Sequence, residues 1–147
     1  MEIKTLQVGP IGTNCYLLCD TGACAVIDPG AEAPRVAAAV RESGCTPCAI
    51  PLTHGHYDHT GAVAQLRQMW PQVPVYLSRK DQYEAGTYAA ELFPPIPGAV
   101  DYGEGDKIAV GGLTVEVLST PGHSEGGVTL RCGDVLFCGD TLFAGSC

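Results

Sequence analysis

The chain is poor in basic residues and has no long apolar run. Only 8 of its 147 residues are lysine or arginine, against 16 aspartates and glutamates, and the formal net charge is −8. Nucleic-acid binding depends on clustered basic side chains that neutralise phosphates, so we expect no nucleic-acid partner. No stretch approaches the ~20 apolar residues that span a bilayer, and residues 1–4 lack the apolar segment of a signal peptide. We therefore expect a cytoplasmic protein without a membrane partner.

Charged residues of both signs are also scarce. They make up 16% of the sequence, whereas hydrophobic residues make up 46%, a balance that excludes a disordered chain. No domain linker is visible, so residues 1–147 are expected to form one domain. The 8 cysteines are expected to be reduced thiols, because no secretion signal accompanies them. Cys45 and Cys48 form the one Cys-X-X-Cys pair, which we interpret as structural rather than as a redox or zinc motif.

Hydrophobic patterning predicts strands that alternate with helices. The predicted strands cover residues 3–8, 15–19, 25–27, 49–52, 73–77, 107–110, 113–118 and 135–137, and the predicted helices cover residues 34–43, 60–70 and 81–90. This order predicts helices packed outside two facing sheets. The apolar strand 135–137 needs neighbours, and the sequence after it predicts none.

Histidine is rare as well, and its 4 residues occupy two short segments. Three lie in Thr-His-Gly-His-Tyr-Asp-His at residues 53–59, and the fourth, His123, lies in Thr-Pro-Gly-His-Ser. Imidazole and carboxylate groups at this spacing are ligands for first-row metals. The first segment follows the predicted strand 49–52, at the strand end where α/β sheets bind ligands. The predicted ligands of one ion are His54 and His56, and those of a second ion are Asp58 and His59.

The first histidine segment resembles the signature His-X-His-X-Asp-His of the metallo-β-lactamase superfamily and matches it without a gap. Residues 118–124, Leu-Ser-Thr-Pro-Gly-His-Ser, resemble the second histidine motif of that family. Residues 137–143, Phe-Cys-Gly-Asp-Thr-Leu-Phe, resemble its aspartate motif in the form typical of glyoxalase II-like (hydroxyacylglutathione hydrolase-like) enzymes. Residues 27–30, Ile-Asp-Pro-Gly, resemble its early aspartate turn. Four motifs in the family's order span nearly the whole chain.

The resemblance implies an α/β fold, the four-layer αββα sandwich of the superfamily, and a dinuclear metal site. Carried over onto this sequence, it assigns the first ion to His54, His56 and His123, the second ion to Asp58 and His59, and the bridging position to Asp140. Two zinc ions are expected, and iron or manganese fits the same ligand types.

One ligand of the family has no counterpart in this sequence. Dinuclear members supply a further histidine to the second metal from a later strand, but no histidine follows His123. Relatives also continue beyond the aspartate motif for roughly 50 to 70 residues, through further strands and a closing helix. The resemblance therefore predicts that the C-terminal strands and helix of the domain are missing, or that the second metal site is degenerate.

A dinuclear site of this family implies hydrolysis by a metal-bound hydroxide, which attacks a polarised carbonyl without a protein nucleophile. The expected substrate is a small thioester, a hydroxyacyl-glutathione or another acyl-thiol, and Asp58 is the expected catalytic residue that orients or relays a proton. One alternative is an iron-dependent oxidoreductase similar to a persulfide dioxygenase. The other is a truncated domain without catalysis. A sheet edge exposed by a missing C-terminus would allow association into oligomers.

Two further assignments stay open at the level of sequence. Asp28 is either a residue that supports a metal ligand or a turn residue before Pro29 and Gly30. The aromatic residues between the two histidine motifs either overhang a pocket or pack in the core. These residues are Tyr83, Tyr88 and Phe93.

Overall fold

The computed structural model describes residues 1–122, 124–139 and 141–144, so the predicted ligands His123 and Asp140 lie outside the described residues. Strands and helices alternate along the first half of the chain, and strands dominate the second half. The strands are β1 (Glu2–Val8), β2 (Thr13–Asp20), β3 (Ala23–Ile27), β4 (Thr46–Pro51), β5 (Val75–Tyr76), β6 (Lys107–Val110), β7 (Leu113–Ser119), β8 (Val128–Cys132), β9 (Val135–Cys138) and β10 (Thr141–Ala144). The α-helices are α1 (Ala33–Ser43), α2 (Tyr57–Thr60), α3 (Val63–Met69) and α4 (Ala89–Leu92), and a 3-10 turn spans Arg79–Asp81.

The first sheet contains β1 to β5 in sequence order. The strands β1, β2 and β3 run antiparallel, whereas β3, β4 and β5 run parallel and are joined by helical crossovers. Parallel neighbours require such crossovers, because the chain must return to the same end of the sheet. The carboxyl ends of β3 and β4 therefore lie at one edge, and the residues that follow each strand are brought together there.

The second sheet is antiparallel throughout, in the order β10-β9-β8-β7-β6. β9 contains the predicted strand 135–137 and pairs with β8 on one side and β10 on the other. The following sequence therefore supplies a neighbour within the sheet, whereas the expectation concerned neighbours on both faces of the strand. β10 provides it through the pairs from Thr141 opposite Cys138 to Ala144 opposite Val135.

Two apolar clusters hold the layers together. Side chains on β2 alternate between them, because successive residues of a strand point to opposite faces. Leu17 packs with Val36 and Leu66 of the helices, whereas Tyr16 packs between the two sheets against Phe137, with ring centroids 5.2 Å apart in an edge-on arrangement. The cluster that contains Leu17 includes all the helical residues of the two clusters, and we call it the helix-facing cluster. The cluster that contains Tyr16 lies between the sheets. The described chain thus forms a helical layer on the first sheet and a second sheet facing it, as predicted.

Two predicted helices differ from the structure. The predicted helix at residues 60–70 is shortened to α3, since α2 already ends at Thr60 and the amide of Ala62 between the two helices donates to the carbonyl of Pro29 at 3.0 Å. The predicted helix at residues 81–90 is wrong, since the segment holds the end of the 3-10 turn and only the first residues of α4. Gly86 lies between them with φ of 88°, a left-handed conformation that interrupts a helix.

The turn after β3 packs backbone against backbone on α2. A Cβ atom on Gly30 would lie 1.8 Å from the carbonyl oxygen of Asp58, and one on Gly61 would lie 2.3 Å from the carbonyl oxygen of Gly30. The two segments can approach so closely only because both positions lack a side chain. This contact fixes the position of α2 relative to the end of β3.

The cysteines occupy three different environments. The free and buried ones are Cys15, Cys19, Cys24 and Cys132. Cys45 packs against the helix-facing cluster and Cys48 against the cluster between the sheets, so the two thiols of the Cys-X-X-Cys pair lie on opposite sides of the first sheet. Cys138 is disulfide-bonded, so the expectation of reduced thiols is wrong at this position.

None of the described helices combines the length and the apolarity that crossing a bilayer requires. The longest of them, α1, has 11 residues.

The contact between Gly30 and Asp58 predicts that Gly30→Ala is severely destabilising. The added methyl group has no room beside a backbone carbonyl, and overpacking of this kind costs on the order of 3 kcal/mol or more. Gly103→Ala is the matched control, because no atom lies within 4 Å of a Cβ at that position. Urea unfolding of both variants tests the prediction, and equal midpoints for the two would contradict it.

Candidate metal centre

The histidine segment lies at the carboxyl edge of the first sheet. Thr53 and His54 follow β4 after Leu52, and Asp28 directly follows the parallel strand β3, so the topology places these side chains next to each other. The short helix α2 then carries His59 back over the same edge. Asp28, Thr53, His54 and His59 are all buried, with at most 6% of each residue exposed.

Asp28 supports a predicted ligand and also forms a turn. Its φ of 54° lies in the left-handed region, and the residue is completely buried. Its Oδ1 accepts the amide of Thr53 at 2.8 Å, and its Oδ2 accepts the Thr53 hydroxyl at 2.5 Å and His59 Nδ1 at 2.9 Å. A buried carboxylate is tolerated when several donors surround it in this way. The sequence left two interpretations of Asp28 open, support of a metal ligand and a turn residue before Pro29, and Asp28 combines the two.

The same hydrogen bonds determine which nitrogen of each ring carries the proton. In the neutral form of its ring, His59 donates from Nδ1 to the carboxylate of Asp28, which leaves a lone pair on Nε2. The single hydroxyl proton of Thr53 is directed to Asp28, so the Thr53 oxygen accepts from His54 Nδ1 at 3.1 Å. His54 therefore also has its lone pair on Nε2. The two rings lie close together, with centroids 4.1 Å apart.

Asp58 faces both His56 and His59. Its Oδ2 lies 3.4 Å from His59 Nε2 and accepts a hydrogen bond from the Thr13 hydroxyl at 3.2 Å, while its Oδ1 forms a short hydrogen bond with His56 Nδ1. Burial by itself would raise the pKa of Asp58, but the hydrogen bond from His56 and the charges of His59 and His56 outweigh it and lower the pKa below its ordinary value. Asp58 is therefore a carboxylate at neutral pH.

The described residues include one cluster whose donor atoms could converge on an ion. Asp28, His54 and His59 each place a donor atom within 4.8 Å of the others. The carboxylate of Asp28, however, already accepts three hydrogen bonds, and a carboxylate has about four acceptor positions. Its role is to orient His59, as carboxylates do for ligating histidines in metal sites. The imidazole lone pairs and the Asp58 carboxylate are the donor types that first-row metals select.

The second sheet closes the other side of this centre. The amide of Val128, the first residue of β8, donates to the carbonyl of Thr53 at 2.8 Å. Gly139, which follows β9, lies against His54, since a Cβ atom there would be 3.7 Å from His54 Cε1. The start of β8 and Gly139, the residue before Asp140, thus lie beside the histidine segment.

Aromatic rings line the approach to His56. The ring of Phe93 meets His56 edge-on with centroids 5.6 Å apart, and Tyr83 packs on Phe93 at 5.3 Å. Tyr57 lies on another side of His56, with centroids 4.7 Å apart. Tyr88 is 82% exposed. Phe93 therefore lies against His56 with Tyr83 behind it, and none of the three aromatic residues belongs to the two apolar clusters, so core packing is the wrong interpretation for them.

Two residues of the centre carried no signal in the sequence. Thr53 joins Asp28, His54 and Val128 through its hydroxyl, amide and carbonyl. Asp81 is 1% exposed and accepts hydrogen bonds from the histidine segment and from the segment that follows β7. Each acts through contacts between residues distant in sequence, which local motif spacing does not reveal.

The motifs, the fold and this centre agree with a comparison to known families. The sequence model of the family described as Metallo-beta-lactamase superfamily matches residues 8–147. The chain belongs to the metallo-β-lactamase superfamily. This family binds divalent metal ions, and the predicted family and α/β fold class are both confirmed.

Curated relatives within the superfamily are longer than this chain. The probable metallo-hydrolase YqgX of Bacillus subtilis is 35% identical over 93% of this chain and 72% of its own length. The hydroxyacylglutathione hydrolase of Erwinia tasmaniensis is 38% identical over 80% of this chain, and that of Salmonella paratyphi B is 41% identical over the same share. The chain spans 44% of the length of each of these two enzymes.

Several solved structures superpose on almost the whole chain. The B3 metallo-beta-lactamase BLEG-1 has a TM-score of 0.82 at 32% identity. The superposition covers 97% of this chain and 73% of the BLEG-1 chain. TTHA1623, solved in a di-iron-bound form, has a TM-score of 0.77 at 37% identity and covers 97% of this chain and 74% of its own. ETHE1 from Myxococcus xanthus has a TM-score of 0.77 at 28% identity, over 94% of this chain and 56% of its own.

The hydrogen bonds of Asp28 predict a change of tautomer in Asp28→Asn. An amide NH₂ placed beside His59 donates instead of accepting, so the proton of His59 should move from Nδ1 to Nε2. The metal-free protein should also lose about 2 kcal/mol of stability, because a charge-assisted hydrogen bond is removed. Nitrogen NMR shifts of the imidazole rings report the tautomer. Asp106→Asn, at an exposed turn where Asp106 accepts the amide of Gly103, is the control, and an unchanged His59 spectrum in Asp28→Asn would refute the assignment.

Proposed function

We propose that this chain is a metal-dependent hydrolase that acts on a small thioester, a hydroxyacyl-glutathione or a similar acyl-thiol. The metal-dependent part rests on one observation: His54 and His59 share one tautomer, and His59 Nε2 faces the Asp58 carboxylate. The thioester part rests on the similarity to hydroxyacylglutathione hydrolases at 38% to 41% identity over 80% of the chain.

The proposed ligands divide into two sets around a shared carboxylate. The first ion would be held by His54, His56 and His123, the second ion would be held by Asp58 and His59, and Asp140 would serve both. The positions of Gly139 beside His54 and of Val128 on Thr53 support the inclusion of the two ligands outside the described chain. Asp28 is not proposed as a ligand, because its oxygens already hold Thr53 and His59.

Zinc is the metal that we propose, with two ions per chain. Imidazole and carboxylate ligands also accept iron and manganese, so the ligands alone do not select among these metals. TTHA1623 was solved with two iron ions, which makes iron the alternative to test.

Ions bound at this centre would polarise the thioester carbonyl and lower the pKa of a water molecule enough to generate a nucleophile near neutral pH. The residues of the chain contribute orientation and proton handling. Asp58 is held by the hydroxyl of Thr13 and by His56, and its carboxylate is positioned to orient a water molecule or to relay its proton. Asp28 keeps the His59 ring in place through this step.

The surroundings of Asp58 and His56 favour a short acyl group. A cleft of about 110 Å³ opens onto Asp58 and is lined mostly by apolar or small residues. Its lining includes Val8, Pro10, Ile11, Ala31 and Tyr57. Phe93 and Tyr57 add aromatic surface next to His56. An apolar acyl chain of a few atoms would bury its surface here, while the thiol portion extends toward solvent.

Thiol release from a hydroxyacyl-glutathione tests the proposal directly. The zinc-loaded chain should hydrolyse the thioester, a chelator should abolish the activity, and added zinc should restore it. His59→Ala should lose activity by about 100-fold or more, because a ligand and its carboxylate support are both lost. Tyr88→Ala, which changes an exposed aromatic residue of the same region, should retain it.

Two other outcomes would replace the proposal. Oxygen consumption with a persulfide by an iron-loaded chain, without thioester hydrolysis, would indicate the oxidoreductase alternative. Metal binding without turnover of either substrate would indicate a domain that is not catalytic by itself.

A further inference from the structure

The carboxylate of Asp81 connects the two segments that carry the predicted histidine ligands. Asp81 ends the 3-10 turn after β5 and is 1% exposed. Its Oδ2 accepts the amide of Gly55 at 2.9 Å and the hydroxyl of Ser124 at 2.7 Å, and its Oδ1 accepts the amide of Gly126 at 2.8 Å. Gly55 stands between His54 and His56.

These three donors lie on two segments that belong to different sheets. Residues 52–56 follow β4 of the first sheet, and residues 124–127 precede β8 of the second. A single oxygen, Oδ2, receives one donor from each segment, so the carboxylate determines the distance between them. A buried charged acceptor has a strong requirement for all its donors, because each lost hydrogen bond leaves it partly unsatisfied.

The glycines at both contacts show how closely the backbones approach Asp81. A Cβ atom on Gly55 would lie 2.9 Å from the carbonyl oxygen of Asp81, and one on Gly126 would lie 2.8 Å from its Cγ atom. Neither glycine has the left-handed φ that would explain its presence by backbone conformation. The close approach of Asp81 therefore requires a glycine at both positions.

We propose that Asp81 is a positioning residue that sets the separation of the two histidine segments and so preorganises the metal centre. It binds no ion itself and acts through the backbone of Gly55 and Gly126. This inference rests on the proposed function, because the two segments carry the ligands assigned there. Preorganisation of ligands by supporting hydrogen bonds is a general determinant of metal affinity.

Zinc affinity and metal-free stability of variants separate this role from a merely structural one. Asp81→Asn replaces one acceptor oxygen by an NH₂ group, so one of the two segments loses its hydrogen bond. We expect zinc affinity to fall by about tenfold or more, measured by competition with a chromophoric chelator. Asp101→Asn is the matched control, because Asp101 accepts an amide of the same turn, that of Arg79, at its exposed side. Its zinc affinity should equal that of the unmodified chain.

Ser124→Ala provides a milder variant if Asp81→Asn does not fold. It removes the hydroxyl donor and leaves both backbone amides, so a smaller loss of zinc affinity is expected. A lowered metal-free stability with unchanged zinc affinity in both variants would overturn the proposal.

Hydrogen exchange of backbone amides, measured in the metal-free chain, tests the role of Asp81 without requiring that the chain binds a metal. In Asp81→Asn the amide that faces the new NH₂ group, that of Gly55 or that of Gly126, should exchange at least tenfold faster with solvent, while both amides of the control variant should not change. Unchanged exchange at both amides would refute the role of Asp81. If the unmodified chain bound no zinc and exchange in Asp81→Asn still increased at one of the two amides, the proposed function would fail while the link between the segments would stand.

Discussion

The buried carboxylate of Asp28 is the constraint on which the arrangement of the centre depends. It receives hydrogen bonds from Thr53 after β4 and from His59 on α2, and it lies itself after β3. A buried charge without partners would be strongly destabilising, so these donors must be present whenever the chain is folded. The parallel pairing of β3 and β4 therefore fixes both the turn at Asp28 and the orientation of the histidine rings.

The centre also joins the two sheets. Val128 of β8 donates to Thr53, and Asp81 connects the histidine segment to residues 124–127. Gly30 and Gly61 allow α2 to pack directly on the turn after β3. The geometry of the centre thus depends on the packing of the two sheets against each other. A larger distance between the sheets would break these hydrogen bonds. Such a site is more rigid than one formed by a single loop.

The parts that could be predicted from the sequence are those encoded locally. The segment 53–59 places its ligands within seven residues, and the strand before it follows from hydrophobic patterning. Asp81 could not be predicted, because its partners Gly55 and Gly126 are distant in sequence and backbone amides leave no trace in side-chain patterns. The same contacts explain the wrong helix at residues 81–90, since helical propensity near Asp81 competes with three tertiary hydrogen bonds.

The metal content of the purified chain is the most direct test of a metal centre built from the histidine segment. Elemental analysis of the unmodified chain and of His56→Ala gives both the identity of the metal and the number of ions per chain. About two zinc ions, with a clear loss in His56→Ala, are expected from the proposed ligand sets. An unchanged metal content in His56→Ala, or a chain that retains no metal after purification with zinc, would contradict them.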